Sequence, residues 1–174
     1  MNKAVFLDRD GTLVEDPGFV YKVEDFKLLD NVVEGLELLN DKYKFFIVTN
    51  QAGVALGKFS LNDLQKFNDH LINELNKGGI NIEKIYFCPH KPEDNCECRK
   101  PKTKFLLDAE KEFEIDLENS FVIGDKETDI TLGRNGGCKS ILVLTGYGEK
   151  YKDVDCDFVA KDLLDAAQWI TNNS

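Results

Sequence analysis

Short, almost wholly apolar runs recur along this chain, separated by longer stretches in which apolar residues return every three or four positions. Ala4–Leu7, Phe45–Val48, Lys84–Phe87, Phe121–Ile123 and Ser140–Leu144 are runs of the first kind, with a weaker one near Asp157–Val159. They lack the polar–apolar alternation of a half-exposed sheet, as expected for strands covered on both faces. The intervening stretches predict helices over Val32–Asp41, Leu61–Lys77, Lys102–Phe113, Asp129–Asn135 and Leu163–Thr171. The second is the best marked: Ser60 stands at its N-cap, Asp63 three residues on, and Gly78 follows its end. Its apolar stripe through Leu61, Leu64, Phe67, Leu71 and Leu75 reads as core packing. Strand and helix alternate from end to end, which predicts an α/β fold: a parallel sheet with helices on both faces, in one domain spanning 1–174.

Polar chemistry collects where the strands end. Asp8-Arg9-Asp10-Gly11-Thr12 follows the first strand, Thr49-Asn50-Gln51 the second, Cys88-Pro89-His90 the third and Gly124-Asp125 the fourth. In open parallel sheets ligands bind outside the carboxyl ends of the strands, so these clusters converge on one rim. Asp8 and Asp10 are two carboxylates one residue apart, which must diverge or share a cation. One can then serve as nucleophile or metal ligand while the other carries a proton. The plainer reading of the pentapeptide is an acidic turn. Asp125 adds a third acid, and so few carboxylates, with room left for water and phosphate, suit Mg²⁺. Asp129 either caps the helix after it or joins this cluster.

The hydroxyls, amides and backbone N–H groups of Thr12, Thr49, Asn50 and Gln51 suit phosphate oxygens, and Lys126 adjoins the fourth-strand acid. The formal charge of −10 argues against a nucleic acid held on a basic surface. Against that background Arg99-Lys100-Pro101-Lys102 stands out as a basic knot suited to a small anion, with Lys100 a point charge for a transferring phosphoryl group. No apolar stretch approaches membrane-spanning length, and Met1-Asn2-Lys3 leads straight into a strand, so neither a membrane span nor a signal peptide is expected and the chain reads as cytoplasmic.

Cys88, His90, Cys96 and Cys98 place three thiols and an imidazole within eleven positions. That set suits tetrahedral Zn²⁺, and with four protein ligands such a site is structural. A disulfide is the competing reading, but nothing indicates an oxidising compartment. The loop 88–98 thus reads as an insertion after the third strand that aims Arg99 and Lys100.

Together these residues resemble the haloacid dehalogenase superfamily of phosphohydrolases: Asp8, Asp10, Gly11 and Thr12 match its first motif, Thr49 the second, Lys100 the third, Asp125 and Asp129 the fourth. The chain is most similar to the zinc-loop branch, which holds heptose-bisphosphate phosphatases and histidinol-phosphatases. The resemblance implies a three-layer Rossmann-like fold with a minimal cap. It implies that Asp8 forms an aspartyl-phosphate and that Asp10 is the general acid and base. It places Mg²⁺ on Asp8, Asp125 and the Asp10 carbonyl, and the transferring oxygens on Thr49 and Lys100. Segments 16–20, 50–54, 57–59 and 145–146 look like the heptose-bisphosphate side, and Ala52 stands where a histidinol-phosphatase more often has an acid. The implied substrate is a small phosphorylated sugar, and Arg99, with Lys58, is the candidate second anion site. Many heptose relatives carry Arg where this chain has Leu56. A monomer is expected by the same resemblance. The alternatives are a histidinol-phosphatase and a non-catalytic, zinc-stabilised binding module.

Overall fold

The computed structural model describes Met1–Ser174. Its strands are β1 (Ala4–Leu7), β2 (Lys44–Asn50), β3 (Ile82–Cys88), β4 (Phe121–Gly124), β5 (Lys139–Val143) and β6 (Phe158–Ala160). Its α-helices are α1 (Val32–Glu37), α2 (Leu61–Lys77), α3 (Lys104–Phe113), α4 (Glu127–Gly136) and α5 (Leu163–Asn173). The strands form one sheet in the order β3-β2-β1-β4-β5-β6, every pairing parallel. Strand order reverses between β1 and β4, and a crevice opens at such a switch point.

Alternate residues of β1 serve opposite layers, as a two-residue period requires. Val5 and Leu7 join Phe45, Ile47, Phe121 and Ile123 in the larger core, closed by Leu36 of α1, Phe67 and Leu71 of α2 and Ala166 and Ile170 of α5. Ala4 and Phe6 face the other layer with Phe46, Val48 and Val122, under Leu106 of α3 and Leu132 of α4. Trp169 stacks on Phe158 at 5.2 Å and meets Phe121 edge-on, which anchors α5 to the sheet.

Several boundaries differ from the sequence expectation. Helix α1 stops at Glu37 instead of Asp41, because the chain tightens into i→i+3 bonds from Leu39 N to Leu36 O and Asn40 N to Glu37 O. Helix α4 begins two residues early, which makes Asp129 its third residue and Lys126 its N-cap. The Ser60–Asp63 capping box forms, but Leu61 is 54% exposed and the buried stripe of α2 starts at Leu64. Gly79, not Gly78, takes the left-handed turn after α2. No helix is long and apolar enough to cross a membrane.

Candidate active site

Beyond β1 the chain turns sharply, with Thr12, Leu13 and Val14 amides all bonded to the Arg9 carbonyl and Gly11 at φ +88°. This turn sends the two acids apart. Asp8 faces Lys100, whose Nζ donates to Asp8 Oδ1 at 2.6 Å, to Asp129 Oδ1 at 2.6 Å and to the Val48 carbonyl at 2.8 Å. Asp10 faces Arg9: Nε and Nη2 donate to its two oxygens at 2.8 and 2.9 Å, and Gln51 Nε2 adds a bond of 2.8 Å. The neighbouring acids therefore do not share a cation; each has its own.

Asp8, Asp125 and Asp129 bring one carboxylate oxygen each within 4.8 Å of the others. All three are buried. Burial, reinforced by the Asp8 charge, lifts Asp125 to about 8, even though the Tyr147 amide donates to its Oδ2 at 2.8 Å. Burial likewise lifts Asp129 to about 6, against the pull of Lys100. Burial works against the charge of Lys100, but Asp129 and Asp8 outweigh it and hold its proton more tightly than usual. Asp125 Oδ1 is buried without a hydrogen-bond partner, and the Asp10 carbonyl accepts no backbone hydrogen bond. A hard divalent cation with oxygen ligands fits this vacancy of partners, since it would satisfy both atoms and offset the crowded charge.

The structure divides the predicted residues by task. Asp8, Asp10, Thr49, Asn50, Gln51, Arg99, Lys100 and Lys126 all line one cleft of about 460 Å³. Thr12 does not: it is buried with an unpartnered hydroxyl beneath the turn. Asn50 spends its amide on the backbone of Lys100, accepting from its N at 3.0 Å and donating to its O at 3.4 Å. Gln51 ties Asp10 to Thr49 Oγ1, which it reaches at 2.9 Å. The Asp10 side chain lies outside the carboxylate cluster, so only its carbonyl remains as a metal donor. Asp129 does both of the things considered for it, accepting from the Lys126 amide at 3.1 Å through Oδ2 and from Lys100 through Oδ1. Lys58 and Leu56 are exposed and are not among the residues that line the cleft.

Lys150, Tyr147 and Tyr151 also line the cleft and carry no mark in the sequence, while Asp16, Gly18 and Phe19 reach it from segment 16–20. Behind Asp10 lie two further polar residues without a cleft-lining position, Arg9 and Asn68. A signal existed for both: Arg9 alternates with two acids at a strand end, and Asn68 interrupts the spacing of Leu64, Leu71 and Leu75 on the buried face of α2.

Cys88, His90, Cys96 and Cys98 close into a second cluster beside the cleft. Cys88 Sγ lies 3.5 Å from Cys96 Sγ, Cys98 Sγ lies 3.7 Å from Cys96 Sγ, and His90 Nδ1 is 3.6 and 3.4 Å from Cys88 and Cys98. A tetrahedron with Zn–S bonds of about 2.3 Å sets sulfurs about 3.8 Å apart, so these donors fit zinc with little adjustment. No disulfide joins them. Arg99 Nη1 donates to the His90 carbonyl at 3.1 Å, which fastens the cation to the loop.

Asp8 at the end of β1 and Asp129 in the first turn of α4, bridged by the buried Lys100 with Asp125 alongside, at the switch point of a parallel sheet, define a haloacid dehalogenase-like phosphohydrolase. A family model described as HAD-hydrolase-like matches residues 97–166. The D-glycero-β-D-manno-heptose-1,7-bisphosphate 7-phosphatase of Helicobacter pylori strain J99 is 42% identical over 173 residues, 97% of each chain. The D-glycero-α-D-manno-heptose-1,7-bisphosphate 7-phosphatase of Campylobacter jejuni is 43% identical over 143 residues, 82% of each. The crystal structure of the D,D-heptose 1,7-bisphosphate phosphatase of B. bronchiseptica, complexed with magnesium and phosphate, superposes with a TM-score of 0.91 at 29% identity, covering 99% of each chain. The chain belongs to the D-glycero-D-manno-heptose-1,7-bisphosphate 7-phosphatase family of haloacid dehalogenase-like hydrolases.

Proposed function

We propose that this protein removes the 7-phosphate of D-glycero-D-manno-heptose 1,7-bisphosphate by way of an aspartyl-phosphate on Asp8. Asp8 is buried at the end of β1 yet lines the cleft, and Lys100 neutralises only one of its oxygens. That observation carries the reading. A carboxylate oxygen of Asp8 attacks phosphorus, the bond from phosphorus to the sugar oxygen breaks, and Asp10 donates the proton which that oxygen needs. Water then attacks the acyl phosphate, Asp10 takes a proton back, and phosphate leaves with Asp8 restored. Lys100 and the Thr49 hydroxyl hold the transferring oxygens. Mg²⁺ bound by Asp8, Asp125 and the Asp10 carbonyl would supply charge neutralisation, so that an anion can approach a phosphate dianion. Zn²⁺ on Cys88, His90, Cys96 and Cys98 would stiffen the loop that presents Arg99 and Lys100.

Arg99, Lys126 and Lys150 give the cleft mouth a positive rim, although Lys126 is shared with Asp16 at 3.5 Å. A second phosphate suits that rim better than the cationic amine of histidinol phosphate. All the named residues come from one chain, so a monomer suffices, and the free thiols suit a reducing cytoplasm. The test is Mg²⁺-dependent phosphate release from heptose 1,7-bisphosphate and from L-histidinol phosphate, with Asp8→Asn as control. The bisphosphate is expected to be preferred and the variant to be inactive. Preference for histidinol phosphate refutes the substrate, and an active Asp8→Asn refutes the mechanism.

A further inference from the structure

Arg9 is the largest fully buried side chain of the molecule, and it carries a charge. Four of its five N–H groups are engaged: two hold Asp10, Nη2 also reaches the Val20 carbonyl at 3.2 Å, and Nη1 donates to Asn68 Oδ1 at 2.9 Å. The guanidinium lies over the Phe67 ring, 4.6 Å from its centroid. Phe67 and Asn68 are successive buried residues of α2, so the helix presents a face and an acceptor to one cation. A buried ion pair is a poor way to stabilise a core, because apolar residues of equal volume do it at least as well. Its distinctive product is geometry. The planar fork fixes both oxygens of Asp10 in one plane.

We infer that Arg9 and Asn68 are positioning residues for Asp10: α2, through Asn68 and the Phe67 face, aligns the Arg9 fork that aims the carboxyl used in proton transfer. This rests on the acid–base role of Asp10 given above. The same carboxyl must meet the departing sugar oxygen and later the attacking water, which demands one fixed orientation during both steps. Removing Asn68 takes away the Nη1 anchor and leaves the fork held from outside Asp10 only by the Val20 carbonyl and the Phe67 face, so the aim loosens while the cleft itself stands.

The experiment compares kcat/KM for heptose 1,7-bisphosphate with kcat/KM for 4-nitrophenyl phosphate on each enzyme preparation. The alkyl oxygen needs a proton to leave, whereas 4-nitrophenolate leaves without one. Because both substrates are read on one sample, the ratio is independent of the folded fraction. Asn68→Ala is expected to lower the alkyl-to-aryl ratio by about tenfold or more, out of the roughly hundredfold or greater contribution of a general acid. Asn68→Asp keeps the acceptor oxygen and is expected to restore the ratio to within about threefold of wild type. Arg9→Lys keeps the charge without the fork and should shift the ratio in the same direction as Asn68→Ala. Asp10→Asn should shift it furthest. If Asp10→Asn shifts the ratio while Asn68→Ala and Arg9→Lys do not, the two residues merely support the fold and the inference is wrong. If Asp10→Asn leaves the ratio unchanged, the acid role itself fails and takes the inference with it.

Discussion

Asn50 at the end of β2 clasps the backbone of Lys100, accepting from its amide at 3.0 Å and donating to its carbonyl at 3.4 Å. Two side-chain bonds thus join a strand end to the segment just beyond the cysteine-rich loop, and they set where the Lys100 ammonium sits between Asp8 and Asp129. Asn50→Ala should remove both. Each bond contributes about 1 kcal/mol to stability, so a fall of a few degrees in Tm is expected. The larger effect should be on catalysis, with kcat/KM lowered by about tenfold or more as Lys100 loses its register. Unchanged kinetics in a folded Asn50→Ala enzyme would show that Lys100 is placed by its ion pairs alone.

Gly11 and Asp125 are equally interdependent. Gly11 adopts φ +88°, and a Cβ there would overlap the Asp125 carboxylate. Gly11→Ala should therefore displace the acid as well as strain the turn. We expect turnover to be abolished and not recovered by raising Mg²⁺, while circular dichroism stays native. Recovery at high Mg²⁺ would mean that the Asp125 position is not what the glycine protects.

Arg99 is anchored to the cysteine-rich loop through the His90 carbonyl and lines the cleft together with Lys150. Arg99→Ala and Lys150→Ala should raise KM for the bisphosphate with little change in kcat. A charge-assisted hydrogen bond of about 1.5–3 kcal/mol corresponds to roughly tenfold to over a hundredfold. For a monophosphate of the same sugar, KM should barely move. Equal effects on both substrates would place these cations at the transferring phosphate instead.

The carboxylate cluster and the Cys–His cluster should respond differently to chelation. Weak chelation that removes Mg²⁺ alone should stop turnover without altering the fold, with full recovery on adding Mg²⁺ back. Strong chelation should also strip zinc, expose the 88–101 segment to protease and leave an enzyme that Mg²⁺ alone does not revive. Elemental analysis of protein purified without chelator should find about one zinc per chain. Less than half an equivalent would overturn the Cys₃His assignment.

Much of this molecule was legible in one dimension because its signals are local. A run such as Ala4–Leu7 is apolar on both faces only if both are covered, and the Ser60–Asp63 box marks a helix start whatever lies around it. The four metal-ligand types at 88, 90, 96 and 98 sit close enough in sequence to declare their meeting. Strand ends also told where the polar groups gather, since side chains at the carboxyl edge of a parallel sheet must share one rim.

By itself, then, the sequence determined the α/β architecture, the rim and most of the groups upon it. Tertiary structure alone decided which group faces which. Asp8 and Asp10 are neighbours in sequence, but the turn at Gly11 sends one to Lys100, 92 residues away, and leaves the other to Arg9. Thr12, a candidate for substrate, lies buried off the cleft, and Asn50 spends its amide on Lys100 while still lining it, whereas Lys150 and Asn68 entered from elements whose local pattern reads as ordinary loop and helix. The reason is physical. Local propensity and periodicity depend on a few adjacent residues, whereas the pairing of buried charges depends on desolvation and on distances that exist only once the sheet has closed.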